Sequence, residues 1–376
     1  MKRNIIFSAL CALVVCGMPS CTNDDTTDFS EWINGTAPTP NDTIYIHYNG
    51  ATATITGDTE GEVTVSGADV TVNSTTADNR VYVLSGSTPD GSLLIYRERQ
   101  FTLVLNGVSI TNPDGPAINN QCGKALYIEC TAGMANLLAD GTAYAPHNYD
   151  QKGALFSEGQ IYFQGAGLLS VTGNCKNAIA SDDYITIEDG AIIVIEANGT
   201  NGLKANDGIF INGGTLDINV TSNGGRGIRS EAQTVIAGGT INIKTSGDCR
   251  IETVDGIRDT TSAAGIKSDS LFVMSAGELV INSSGDGGKG INCSQNIELS
   301  GGTLEVNTTG SNDEGKPKAV KSDTGIIVSG GSFTATCRKS WACDNGTDND
   351  NPEARVTIIG TPAVRTLKKR TVMIQF

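Results

Sequence analysis

The groups in this chain able to do chemistry recur in one short motif. Gly-Ile-Lys/Arg-Ser and its variants place Lys204, Arg229, Lys267 and Lys321 at equivalent positions of successive segments, with Asn292 interrupting the series. Two residues beyond that position come Asp182, Asn206, Glu231, Asp269 and Asp323. Residues two apart on a strand share a side, so a basic row and an acidic row run together. One consequence is plain charge pairing, since like charges stacked at strand spacing repel and an opposite row relieves them. The other is recognition, in which cations spaced along a flat face meet the carboxylates of an acidic polymer such as polygalacturonate.

Polar turns before the motif carry a second set of candidates: Asn198, Asn201, Asn223, Asp248, Asp286, Asn312, Asp313 and Glu314. Calcium takes six to eight such oxygens, and Asn223, Asp248, Asp286 and Asp313 are the candidate ligands. Asn and Asp also favour tight corners without any metal, and no EF-hand loop is present. Two segments, 140–152 and 248–263, lengthen the pattern and hold Tyr144, His147, Tyr149, Arg250, Glu252, Asp255, Arg258 and Asp259. Insertions of this kind map to one face of a repeat fold, often the binding face. Trp occurs only at 32 and 341, so a platform for stacking sugars is poorly supplied, with Tyr144, Tyr149 and Trp341 as its candidates.

Catalysis finds little support. The histidines are His47 and His147, and neither Gly-His-Gly nor Arg-Ile-Lys occurs. A glycosidase needs an acid and a base flanking the bond, whereas Asp182 and Asp183, as strand neighbours, point to opposite faces. A lyase assembled from Arg229 or Lys267 with Glu231 or Asp269 is the enzymatic alternative, and an adhesin for protein partners is another. The sequence favours a non-enzyme.

These residues must be positioned by a repeat. The turns Gly213-Gly214, Gly238-Gly239, Ala276-Gly277, Gly301-Gly302 and Gly330-Gly331 are separated by 25, 38, 25 and 29 residues. The anchors Ile179, Leu203, Ile228, Ile266, Ile291 and Val320 are separated by 24, 25, 38, 25 and 29. Two independent landmarks agree on a solenoid. In Thr215-Leu216-Asp217-Ile218-Asn219-Val220 the alternation is strict, which is a half-buried strand. Equivalent residues recur one period on, so stacking between repeats explains the pattern better than hairpins. The spacing predicts an all-β, single-stranded, right-handed parallel β-helix of about 25 residues per coil, with three short strands in each and Leu216 above Ile241. Outward-facing Phe210, Val235, Val273 and Ile327, interrupted by Glu298, form an apolar strip expected to lie under the tail or a loop.

Gly contributes 46 of 376 residues, as many tight corners require. Lys2 and Arg3, an apolar run from Ile5 to Val15, and Gly17-Met18-Pro19-Ser20-Cys21 read as an export signal over 1–20. With Asn23, Asp24, Asp25 and Asp28 following, this resembles a bacterial lipoprotein leader with Cys21 lipidated, placing the protein in the outer membrane of the cell envelope and facing outward. Residues 21–43 are the tether, 44–364 the β-helix and 365–376 a C-terminal cap. Losing two cations with the leader leaves 24 against 41 carboxylates, or −17, which argues against nucleic acid or anionic lipid as partners. The membrane is then met through the lipid alone, and a monomer is expected. Cys122, Cys130, Cys175, Cys249, Cys293, Cys337 and Cys343 fit small buried residues better than a metal site.

The ordered combination Val81-Tyr82-Val83-Leu84-Ser85-Gly86, Thr102-Leu103-Val104-Leu105-Asn106-Gly107-Val108, Gly115-Pro116-Ala117-Ile118, Asn136 and Asp140-Gly141, followed by the Gly-Gly-Thr and Gly-Ile-Lys-Ser repeats, resembles the polysaccharide-binding β-helix family of carbohydrate-binding domain-containing proteins over roughly residues 44–345. That resemblance implies a pectate-lyase-like β-helix that binds cellulosic or pectic polymers without catalysis and carries structural calcium.

Overall fold

The computed structural model describes residues 43–376, except Asp78, Asn312, Glu314 and the side chain of Val254. The leader, Cys21 and all of the tether but Thr43 lie outside the described residues. The described chain falls within one compact unit. It is a parallel β-solenoid of about 11 turns, with about 25 residues in each.

Three strands build a coil, as in Asn201–Ala205, Gly208–Ile211 and Thr215–Val220. Each pairs in parallel with its equivalent one coil on, giving an anchor ladder, a short ladder and a long ladder. The anchors Ile179, Leu203, Ile228, Ile266, Ile291 and Val320 stack in the register set by their spacing. Leu216 pairs with Ile241, and Leu279 with Leu304, inside the long ladder. These residues are buried and form one continuous core. Near the N-terminus the strand Phe101–Asn112 runs without a break and pairs with both Leu126–Cys130 and Ala135–Asp140, joining the short and long ladders. Asn136 holds the bend in that strand, its Oδ1 accepting from the Gly107 and Val108 amides at 2.9 and 3.1 Å.

Antiparallel pairing among the described residues is confined to the two ends and one insertion. Thr43–Asn49 with Thr52–Thr56, and Val63–Ser66 with Asp69–Ser74, close the N-terminal end. Val364–Lys368 and Thr371–Gln375 form a terminal hairpin whose second strand pairs with Ser332–Cys337. The tail therefore satisfies the open edge of the long ladder, where unpaired backbone groups need partners, and does not lie over the Phe210 strip. Phe210, Val235, Val273 and Ile327 stay half-buried on the short ladder. All seven cysteines of the described chain are free thiols, six of them buried.

Two glycine columns explain the motif spelling. Gly214, Gly239, Gly277, Gly302 and Gly331, which enter the long strands, all have φ between +75° and +84°, a conformation that penalises a Cβ. In Gly-Ile-Lys/Arg-Ser the requirement is steric instead. A Cβ on Gly227 would sit 2.4 Å from Ile243 Cγ2, and one on Gly265 would sit 2.4 Å from Ile281 Cγ2. The long strand leans its branched side chains against the bare anchor backbone. Gly265→Ala is therefore expected to lower stability by about 1–3 kcal/mol through overpacking. Chemical denaturation checks this, and an unchanged midpoint refutes the steric account.

Candidate functional site

The anchor strands carry cations in two columns, one outward and the other largely buried. One holds the expected cations, and the register sets Lys204 beside Arg229, Arg229 beside Lys267, and Asn292 beside Lys321. Each of these cations is neutralised. Lys204 lies 3.2 Å from Glu231, Arg229 2.5 Å and Lys267 2.9 Å from the Asp269 carboxylate, and Lys321 bonds Asp323. Burial alone would raise the Asp269 carboxyl, but the hydrogen bonds from Arg229 and Lys267 outweigh it and hold it below the ordinary carboxylate range. This column is a paired ladder.

The second column lies two residues before the anchors and includes Asn201, Arg226, Ala264, Lys289 and Lys318. It escaped the motif because its residue types change from coil to coil. The same offset before each anchor is the signal that would have found it. Around Arg226 a groove of about 320 Å³ opens, lined by Lys152, Lys176, Lys204, Arg226 and Arg250 with Asn177 and Asn201. Lys152 ends the 140–152 insertion and Arg250 begins the hairpin of the 248–263 insertion, so the groove runs between the two.

The cations of this groove differ in how they are satisfied. Lys152 bonds Asp182 and lies 2.6 Å from Asp150, and Arg250 sits 3.1 Å from Glu252. Lys176 donates to the Gln151 carbonyl at 2.6 Å and rests 5.3 Å over the Tyr144 ring. Arg226 has no carboxylate partner among the described residues, and its Nε is buried without a hydrogen bond. Burial first, then the neighbouring Arg229 and Arg250 charges, lower the Arg226 guanidinium to about 10. An under-compensated cation in a groove is poised for an anion.

The family described as "Carbohydrate-binding domain-containing protein" matches residues 66–226 and 217–315. The chain belongs to that family. A relative in Acetivibrio thermocellus, also described as a carbohydrate-binding domain-containing protein, is 31% identical over 108 residues, 27% of this chain and 38% of the relative. The chain thus aligns with less than half of that relative's length. A solved structure titled as the polysaccharide lyase-like protein from C. thermocellum, gadolinium derivative, superposes with a TM-score of 0.55 and 26% identity, over 68% of this chain and 96% of that one.

The other sequence candidates of this carbohydrate-binding domain protein are dispersed. Asp248 and Asp286 are spent on coil stacking: the Asp248 amide donates to Asn223 Oδ1 at 2.9 Å, the Asp286 amide to Asp248 Oδ1 at 2.8 Å, and the Ser311 amide to Asp286 Oδ1 at 2.8 Å. Asp313 accepts from the Ser311 hydroxyl at 3.0 Å. Among the described residues the acidic trio with ligand atoms within 4.8 Å of one another is Asp150, Glu158 and Asp182, which surrounds Lys152. Tyr144 donates to the buried Asp140 at 2.6 Å and Tyr149 stacks on His147, so both anchor the first insertion. Trp341 lies at the far end, its ring facing Arg355 at 3.9 Å and Lys369 at 4.9 Å. Its ring is already engaged by two cations.

Aromatic residues are nonetheless gathered where the sequence suggested scarcity. Tyr127 and Tyr162 stack at 4.9 Å, while Tyr162 meets Tyr184 and Tyr184 meets Phe210 edge to face at 5.7 and 5.9 Å. Tyr127 and Tyr162 continue the Phe210 column of the short ladder, Thr186 interrupts it, and the Tyr184 ring from two residues earlier bridges the interruption. Stacked on one another along the coil axis, the Tyr127 and Tyr162 rings spend facing surface that a sugar would need.

The pairing of Asp269 has a pH signature. Its lowered carboxyl contributes stability that is present above the unfolded Asp value and lost as pH falls through the folded one. Asp269→Asn is expected to melt below the native protein at pH 7, with the gap closing under strongly acidic conditions. Melting curves across pH check this, and a gap that persists in acid refutes it.

Proposed function

We propose that this protein binds an acidic polysaccharide, of the polygalacturonate type, in the groove between the two insertions, without cleaving it. The observation that carries this is Arg226, a groove cation with a buried, unbonded Nε and no carboxylate partner among the described residues, in a chain of net charge −15. A uronate carboxylate in the groove supplies the opposite charge that the Arg226 guanidinium lacks, and Lys176 adds a second cation free of carboxylates among the described residues. Coils recur at about 4.8 Å, so a chain laid along the axis meets one row of side chains per step. Non-catalytic binding is supported by the acidic groups beside the groove, which cluster on Lys152 instead of flanking a bond. Calcium enters as a bridge between ligand carboxylates and the Asp248 and Asp286 oxygens left outside the inter-coil bonds. Export, lipidation at Cys21, an outward-facing position on the outer membrane and a monomeric state complete the proposal, the polar tether giving the β-helix reach.

Arg226→Gln tests it. Loss of one charge-assisted pair is expected to weaken binding of an oligogalacturonide about ten- to a hundredfold. The melting temperature should hold or rise, because the substitution removes a cation that burial disfavours. Undiminished affinity overturns the proposal, and unsaturated products released from polygalacturonate overturn its non-catalytic side. A chelator is expected to weaken binding without lowering the melting temperature.

A further inference from the structure

We infer that the C-terminal end of the β-helix is a docking surface for a membrane rich in anionic phospholipid. Residues 338–376 hold seven cations against four carboxylates, a net +3 in a chain of net −15. The charge of the whole chain, which argues against anionic lipid, hides this local reversal. Two backbone bonds gather five of the cations. The Cys337 amide donates to the Arg370 carbonyl at 3.0 Å and the Ala342 amide to the Lys369 carbonyl at 2.8 Å, so the turn of the terminal hairpin lies against the turn that follows Ser332–Cys337. Arg338, Lys339, Lys368, Lys369 and Arg370 are thereby exposed at one corner. None of the five has an ion pair among the described residues, and Lys369 instead rests 4.9 Å over the Trp341 ring.

Cations on an edge strand also keep the strands of other chains away. Arg365 and Lys368 serve that purpose within Val364–Lys368, but Arg338, Lys339, Lys369 and Arg370 lie in turns, which have no edge to guard. Apolar side chains accompany the charges. Ile359, Val364, Met373 and Phe376 make up a third of the exposed large hydrophobic residues of the described chain, and all stand within its last 18 residues. In the hairpin Thr366 lies across from Met373 and Lys368 from Thr371. Alternation then puts Val364, Lys368 and Met373 on one side, opposite the buried Val372 and Ile374. A membrane interface uses both kinds of side chain, phosphates meeting the cations and the acyl boundary meeting the apolar groups. A water-soluble polyanion would use only the charges. Contact through this end orients the β-helix on the membrane, which a lipid at the end of a polar tether does not.

Co-sedimentation of the full chain carrying Cys21→Ser, which takes no lipid, tests this with vesicles of phosphatidylcholine alone and of phosphatidylcholine with phosphatidylglycerol in equal parts. The chain is expected to bind the anionic vesicles well above the neutral ones and to release them at high salt, which screens exposed charges. Combined Arg338→Gln, Lys339→Gln, Lys368→Gln and Arg370→Gln, which leaves Lys369 on Trp341, should lower binding to the anionic vesicles about a hundredfold or more. The melting temperature should hold, because the four cations lack ion pairs. Val364→Ser with Met373→Ser, at unchanged charge, should cost about tenfold. Arg226→Gln should leave vesicle binding unchanged, and both cap variants should keep oligogalacturonide binding, so failure here is distinct from failure of the anchor groove. Equal binding to the two kinds of vesicle, or anionic binding that survives loss of the four cations, overturns the inference. Polyglutamate bound as tightly as the anionic vesicles, with Val364→Ser and Met373→Ser making no difference, marks a general polyanion surface and overturns the lipid assignment.

Discussion

Coil-on-coil hydrogen bonding at fixed spacing governs everything else in this molecule. Every strand of a regular coil bonds to its equivalent in the coils before and after, so a residue is held about 4.8 Å from its counterparts and its chemistry is repeated down a column. Inside, this suits aliphatic residues, and the anchor and long-strand columns bury completely. It also fixes where side chains cannot exist. Gly202, Gly227, Gly265 and Gly290 each face a branched side chain of the long strand at a distance no Cβ tolerates. The walls can approach this closely only because one is bare backbone, which is why the motif begins with glycine.

Polar columns face the opposite difficulty, since identical groups stacked at this spacing repel or leave donors unmatched. The structure resolves it in two ways. At the turns, each Asn or Asp side chain accepts the backbone amide of the next coil, as Asn223, Asp248 and Asp286 do in succession. On the anchor face, cations are interleaved with a carboxylate row, sometimes within a coil, as Lys321 with Asp323, and sometimes across coils, as Lys204 with Glu231. Arg226 stands outside both solutions. Its neighbours in the column are Asn201 and Ala264, so it bonds no carboxylate of the opposite row and feels only the Asp269 charge at a distance. Lys176 and Lys289 likewise lack carboxylates, bonding instead to the Gln151 carbonyl and the Ser262 hydroxyl, so the unpaired cations of the anchor face gather at this end of the anchor strands.

The period made the fold legible, because anchors such as Ile228 and turns such as Gly238-Gly239 return at matching intervals and specify register without any knowledge of packing. The covering of the Phe210 strip was not legible, since nothing in the sequence says which open edge the tail will satisfy. The site was far less legible than the fold. A repeated motif draws attention to columns that keep their residue type, and those are the columns that stacking has already neutralised. Arg226 and Lys176 belong to columns whose identity changes, so no repeated residue type marks them and only a constant offset from the anchors does. Tyr127, Tyr162 and Tyr184 read as scattered because the strip is interrupted by Thr186 and Tyr184 reaches it from two residues earlier, although Tyr162 and Phe210 each lie seven residues beyond their anchors Leu155 and Leu203. Side-chain reach across coils, which decides whether Asp269 serves Arg229, Lys267 or both, has no trace in composition or spacing.

The position of the two insertions follows from the same constraint. Extra residues inside a strand would throw its side chains onto the wrong face, and extra residues at the Gly-Gly corner would drive apart strands whose backbones nearly touch. The turn from long strand to anchor strand is where length can change without disturbing a column. Both insertions occupy it, the first as the loop from Gly141 to Gln151 and the second as the hairpin Arg250–Val254 with Ile257–Thr261. They must therefore rise beside the anchor face, and four anchor strands, Gly153–Ser157 to Arg226–Ser230, lie between them. The groove, with Lys152 from one insertion and Arg250 from the other, is where a solenoid that cannot vary its strands is able to build a depression at all.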